Sequence, residues 1–276
     1  MMAHWWTISS LMACLWGCPS TNMPKVPVID IHEKSDAVDM HLDSIKIGDT
    51  LVYDLDYIMG KFDPTTHPDF MLIPEKYRDN QLRYIRQDVW EAFLKMYEAA
   101  VIDGVNLRII SATRNFDNQK RIWENKWKGH TKIENGRDAS KSYPDSKIRA
   151  LKILQYSSMP GTSRHHWGTD MDFNALNNTY FEAGEGLKVY QWLVQNAQKF
   201  GFCQPYTDFD DERQTGYQAE KWHWTYVPVA SQIQKEAQDL LSDMEVKGFM
   251  GAETAADIQV VKNYVWGIHP SCYNNN

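Results

Sequence analysis

Ser163-Arg164-His165-His166-Trp167-Gly168-Thr169-Asp170-Met171-Asp172-Phe173-Asn174 reads as a turn feeding a strand. Gly168 lets the chain reverse. From Thr169 polar and apolar residues alternate with the two-residue period of a strand. Asp170 and Asp172 then project to one face, while Met171 and Phe173 project to the other. The apolar pair enters a core, the acids face a cleft, and His165 folds back over that cleft from the turn. A second stretch, Glu220-Lys221-Trp222-His223-Trp224-Thr225-Tyr226, alternates in the same way. His223 and Thr225 share one face, Trp222 and Trp224 the other, and Glu220 enters from the preceding turn. Taken singly, either stretch is more readily a surface histidine or a salt-bridged glutamate at a core edge. Together they supply two imidazoles, a ligand carboxylate and a free carboxylate. That is the residue set of a hydrolytic zinc site with three protein ligands and a fourth position left for water. His166 is the alternative to His165 as ligand.

The flanking chain sets these strands among helices. Leu82, Ile85, Val89, Phe93, Met96, Tyr97 and Ala100 recur at three-four spacing until Gly104, which predicts a helix over 79–103. A buried strand is expected over 107–111, followed by a turn holding Arg114 and a helix over 117–128. Residues 129–142 are polar and read as a surface insertion, and 144–156 as a third helix. Residues 186–200 form an amphipathic pattern stopped by Gly201. A short strand over 202–205, an acidic turn over 208–216, a strand over 222–227 and a helix over 231–247 follow. A weaker helical pattern covers 258–265. Nearer the start, 42–57 alternates in part like a strand and loop, and 64–74 reads as loop. Helices and strands alternate irregularly, and several strands lie close enough in sequence to pair antiparallel. The expected fold is α+β, a central antiparallel sheet flanked by helices.

Composition narrows the function. The 276 residues, 43% hydrophobic and 24% charged, are ordinary globular usage and long enough for a substantial core. A net charge of −7 with no block of Lys or Arg gives no basic face for a nucleic acid. The first 18 residues are short, apolar and rich in small residues towards their end, as in an export leader, although no Lys or Arg precedes Lys25. Leu15-Trp16-Gly17-Cys18 resembles a bacterial lipobox, making Cys18 a candidate lipid anchor, with Cys14 the second candidate. Residues 19–41 read as a tether, 42–248 as the catalytic domain and 249–276 as a C-terminal extension. Cys203 and Cys272 are free to pair in an exported protein or to remain two thiols.

Ser163-x-His165-x-x-Gly168-x-x-x-Asp172 and Glu220-x-Trp222-His223-Trp224-x-Tyr226 resemble the signatures of the zinc D-alanyl-D-alanine carboxypeptidases of the VanY type. These are grouped with the D-Ala-D-Ala dipeptidases and, more distantly, with the lysostaphin and hedgehog folds. Ser111-Ala112-Thr113-Arg114-Asn115-Phe116-Asp117-Asn118-Gln119 is similar to a third element of that family. The three occur in the family's order. The resemblance implies that His165, Asp172 and His223 hold one Zn²⁺ and that Glu220 is the general base. Arg114 would stabilise the oxyanion or position substrate, and Ser163 and Gln119 would bind substrate. It further implies an exported, monomeric enzyme acting on peptidoglycan stem peptides that end in D-Ala-D-Ala. Dipeptidase, L,D-carboxypeptidase, endopeptidase and a catalytically idle wall-binding module are the alternatives. Asp170 departs from the family pattern, where a small residue is common. It could orient a histidine ligand, add negative charge to the site, or pair with Arg164.

Overall fold

Helix-period and strand-period segments alternate through residues 52–273, the part of the chain that the computed structural model describes. The leader with Cys14 and Cys18, the tether, and the start of the 42–248 segment lie outside the described residues. The strands are β1 (Phe70–Leu72), β2 (Tyr84–Arg86), β3 (Ile109–Ser111), β4 (Asp170–Phe173), β5 (Phe202–Cys203) and β6 (His223–Tyr226). The α-helices are α1 (Leu55–Ile58), α2 (Gln87–Ile102), α3 (Phe116–Trp127), α4 (Ala139–Ser142), α5 (Ser146–Ile153), α6 (Gly184–Asn196), α7 (Val227–Leu240) and α8 (Ala255–Ile258). β1 and β2 pair by themselves, and the main sheet runs β3-β4-β6-β5 with every pairing antiparallel. The fold is α+β, as the pattern of elements predicts.

The two faces of the sheet carry opposite chemistry. Met171, Phe173, Trp222 and Trp224 join Val89, Phe93 and Met96 of α2 and Val189 and Leu193 of α6 in one apolar cluster. A second cluster gathers Trp123 and Trp127 of α3, Ile153 of α5, Ile233 and Ala237 of α7 and the segment around Val260, Val265 and Ile268. The polar residues of β4 and β6 are therefore left facing the space between these masses, where the site forms.

Some boundaries differ from the sequence expectation. The helix predicted over 79–103 begins only at Gln87, and Tyr84-Ile85-Arg86 is instead strand β2, paired with Phe70–Leu72 in a segment read as loop. Ile85 matches the helical spacing yet is buried from an extended backbone, and Leu82, which a helix would have buried, is 66% exposed. Arg86 fixes that geometry: its guanidinium donates to the Tyr57 hydroxyl at 2.7 Å and to Asp69 and Asp88. The helix predicted over 231–247 starts earlier, at Val227, with Pro228 in its first turn, and ends at Leu240. A proline there lacks only an N–H that has no intrahelical partner anyway. The strand-like pattern before Tyr57 ends in the helical turn α1, capped by the Asp54 carboxylate.

Cys203 on β5 and Cys272 near the end of the described chain form a disulfide across a sequence separation of 69. It joins the edge strand beside β6 to a segment whose His269 N–H also donates to the Pro205 carbonyl at 2.8 Å. Closing a loop of that length is worth about 4 kcal/mol in the chain-entropy description. Reduction, or a C203A/C272A variant, is expected to lower the melting temperature measurably in thermal denaturation; an unchanged transition would show that the cross-link adds nothing to the fold.

Candidate metal centre

Strand register brings the predicted ligands together. Asp172 of β4 is the direct cross-strand partner of His223 on β6, and Asp170 is that of Thr225. Cross-strand partners put their side chains on the same face, so the two acids, His223 and Thr225 converge. His165 arrives from a 3₁₀ turn, Arg164–Trp167, which ends at Gly168 with φ of +74°. A Cβ at Gly168 would stand 2.4 Å from the Phe70 ring, so both the conformation and the space call for glycine. The third motif holds this turn in place. The Ala112 carbonyl meets His165 Nδ1 at 2.8 Å, the Arg114 N–H donates to the His165 carbonyl at 3.1 Å, and the Arg114 carbonyl meets His166 Nδ1 at 2.6 Å.

Hydrogen bonding assigns the free nitrogen of each ring. His165 must carry its proton on Nδ1 to donate to Ala112, which leaves Nε2 as a lone pair. That nitrogen has no hydrogen-bond partner and lies 3.4 Å from Asp172 Oδ2. His223 Nε2 sits 2.8 Å from Asp170 Oδ2, an acceptor, so the neutral ring carries its lone pair on Nδ1, 3.2 Å from Asp172 Oδ1. Asp172 Oδ1 is likewise buried without a hydrogen-bond partner. Lone pairs facing a carboxylate in a dry site repel unless a proton or a metal ion lies between them, and the Asp170, Asp172 and Glu220 carboxylates around His223 favour a positive charge there. One atom from each of His165, Asp172 and His223 falls within 4.8 Å of the others. Ligand atoms about 2.0–2.1 Å from a tetrahedral ion lie roughly 3.3 Å apart, close to the 3.4 and 3.2 Å that separate the two histidines from Asp172. Two imidazoles and a carboxylate suit Zn²⁺, and the residues fit it. His166 is excluded by its own bonds: it accepts from the Gly161 N–H at 3.0 Å on Nε2 and donates to the Arg114 carbonyl.

Asp170 fills two of its three expected parts. It accepts from His223 and also pairs with the Arg164 guanidinium at 3.2 Å, while Thr169 and Thr225 hydroxyls donate to its other oxygen at 2.7 Å each. Arg164, 1% exposed, also donates to Gln234 and Thr225 and lies over the Trp167 ring. The added negative charge is thus balanced by a buried cation.

The remaining predicted residues divide. Glu220 is buried, and its Oε2 lies 3.3 Å from His223 Nδ1. Burial pushes its carboxyl above the usual range, against the pull of the His223 ring. For Asp172 burial acts the same way, but the two imidazoles outweigh it and hold the group well below the carboxylate range. His165 is lowered to about 4 by burial and then by the Arg114 cation. Arg114 is half-buried with its Nε enclosed and unpartnered, and loss of solvent lowers its pKa. Ser163 Oγ is buried, unpartnered and part of the cleft wall. Gln119 is not brought to that wall: its amide donates to the Ser158 carbonyl at 2.8 Å, and Ser158 lines the cleft. The cleft, about 590 Å³, also contains Lys126, Tyr156, Tyr206 and Tyr217. Tyr206 packs its ring on His223 at 4.7 Å between centroids. None of these four stands at a spacing that marks it in the sequence.

The chain matches the family profile VanY, D-alanyl-D-alanine carboxypeptidase, over residues 82–229, more than half its length. It is 32% identical over 152 residues to YodJ of Bacillus subtilis, covering 53% of this chain and 48% of that protein. It is 30% identical over 136 residues to a D-alanyl-D-alanine carboxypeptidase of Enterococcus faecalis, covering 49% and 45%. The chain therefore spans about half the length of each. Among solved structures, a vancomycin-resistance D,D-pentapeptidase VanY variant in complex with Zn(II) is 26% identical, with 61% of this chain and 90% of that chain covered and a TM-score of 0.43. Over β2 to the start of α7, the part that contains the whole donor cluster, the chain belongs to the VanY D-alanyl-D-alanine carboxypeptidase family.

Proposed function

We propose that the protein is a zinc-dependent D,D-carboxypeptidase that removes the terminal D-Ala from peptidoglycan stem peptides. The observation that carries this reading is the buried triad of free donor atoms on His165, Asp172 and His223 with a non-ligating Glu220 beside it. His165 would hold one zinc ion through Nε2, His223 through Nδ1 and Asp172 through its carboxylate. When bound, the ion would supply a Lewis acid for the scissile carbonyl and bring the pKa of a coordinated water to about 7. Glu220, kept basic and close, takes a proton from the attacking water and delivers it to the departing amine. Arg114, a fixed cation with a spare N–H, faces the charge that develops on the carbonyl oxygen. Ser163 offers a free hydroxyl to the substrate backbone, and Gln119 acts at one remove by fixing the Ser157-Ser158 segment. Asp170 keeps the His223 ring in the tautomer that presents Nδ1.

Such a substrate lies outside the cytoplasm. The disulfide supports this compartment, because structural disulfides persist in oxidising surroundings. The lipobox-like Cys18, or Cys14, would tether the monomer to a membrane. Among the described residues no helix is long and apolar enough to cross one. The test is mass spectrometry of a pentapeptide muropeptide incubated with the protein, with and without a chelator. Loss of a single terminal alanine, abolished by the chelator and restored by zinc, is expected. Cleavage at an inner bond would move the activity to the L,D- or endopeptidase class, and chelator-insensitive turnover would remove the metal from the mechanism.

A further inference from the structure

Lys126 lies on α3 seven residues after Gln119, two helical turns on and on the same face. Its ammonium lines the same cleft as Arg114, Ser163, Glu220 and the three donors. Among the described residues no carboxylate lies within ion-pair distance of it. Its one hydrogen bond is to the Ser157 hydroxyl. Ser157 is itself buried, and its neighbour Ser158 is tied to Gln119. The contrast with Lys132, also in the cleft wall, is informative, because Lys132 pairs with Asp138 at 3.1 Å. Burial, reinforced by the nearby Arg114 cation and opposed by Glu220, lowers the Lys126 ammonium to about 8. At neutral pH it remains mainly charged. Lys126 is half-buried, a cation partly removed from water without an ion-pair partner is costly, and an anion arriving with the substrate offsets that cost.

We propose that Lys126 is a specificity residue that holds the free carboxylate of the substrate's C-terminal residue and so restricts the cleft to exo cleavage. The proposal rests on the carboxypeptidase reading. Two carboxylates could meet this cation: the C-terminal one, or an acidic group further up the peptide. Position favours the first. Lys126 is close enough to Arg114 and Glu220 to feel both charges. The terminal carboxylate lies only one residue, about 3.8 Å of chain, beyond the scissile carbonyl. An upstream acid leaves in the opposite direction. Arg114 then meets the carbonyl oxygen and Lys126 the carboxylate, so each cation has its own anion.

The experiment is isothermal titration of the full, zinc-loaded chain carrying Glu220→Gln, so that nothing turns over. Three ligands are compared: D-Ala-D-Ala, its C-terminal amide, and a C-terminally amidated peptide with an internal glutamyl carboxylate. A hydrogen bond to a charged group predicts that the acid binds roughly 10- to 100-fold tighter than its amide. In K126M/E220Q that preference falls to about twofold through weaker binding of the acid alone, and K126R/E220Q retains most of it. The assignment is overturned if K126M leaves the preference intact, if it weakens acid and amide equally as a packing defect would, or if it weakens the glutamyl peptide instead. The carboxypeptidase reading fails separately. A chain that shows the acid preference but cleaves no pentapeptide refutes the activity and keeps Lys126, whereas normal cleavage with an unaltered preference in K126M refutes only Lys126.

Discussion

Glu220→Gln is expected to lower turnover of a pentapeptide ending in D-Ala-D-Ala by about three orders of magnitude, within the range for loss of a positioned general base. The fold and the metal should remain. Gln keeps the volume of the side chain, and the backbone around it is held independently. The Glu220 N–H donates to the Tyr206 carbonyl at 2.9 Å, and its own carbonyl accepts from Gln204 at 3.2 Å. The three donors cluster without Glu220. Gln therefore removes basicity and little else, and it takes one negative charge from beside His223 Nδ1. Elemental analysis of the variant should find zinc at the parent level. Loss of the ion would make Glu220 a ligand, and near-normal turnover would assign the proton transfer to another group.

What the sequence made legible was local. Alternation placed Asp170 and Asp172 opposite Met171 and Phe173, and His223 opposite Trp222 and Trp224, because a two-residue period decides the face of a strand whatever its neighbours do. Which strand lies beside which is a long-range matter. The pairing of Asp172 with His223 and of Asp170 with Thr225, which turns two alternating stretches into one site, depends on contacts across more than 50 residues of chain. Ile85 shows how the helical period can mislead: a residue at the right spacing was buried by a strand. For Gln119 a motif position suggested the cleft, yet the side chain stays outside its lining and its amide N–H donates to the backbone carbonyl of Ser158. Lys126 and Tyr206 carry no spacing signal, and only the tertiary arrangement of α3 and the 204–222 loop brings them to the cleft. The disulfide was undecidable for the same reason, since 69 residues of separation give no information on distance in space.

Asp170→Asn should separate two duties that one carboxylate performs. Asp170 is fully buried and takes four donors: Arg164, His223, Thr169 and Thr225. Asn has one acceptor oxygen and no charge, so the Arg164 guanidinium is left buried and uncompensated. Removing one member of such a pair typically costs about 3–5 kcal/mol, and a denaturant titration should register a loss of that order. The second duty is towards His223. Without a carboxylate on Nε2 the ring is less basic and less firmly held, and loss of such a partner lowers metal affinity about 10- to 100-fold. The double variant R164L/D170N distinguishes the two. With both charges gone, the buried site is again neutral and much of the stability should return. Zinc affinity, measured by competition with a chelating dye, should stay low, because His223 Nε2 still faces a neutral amide where it had a carboxylate. If affinity recovers along with stability, Asp170 serves only to balance Arg164. If neither recovers, the two duties share one rigid network and cannot be apportioned between Arg164 and His223.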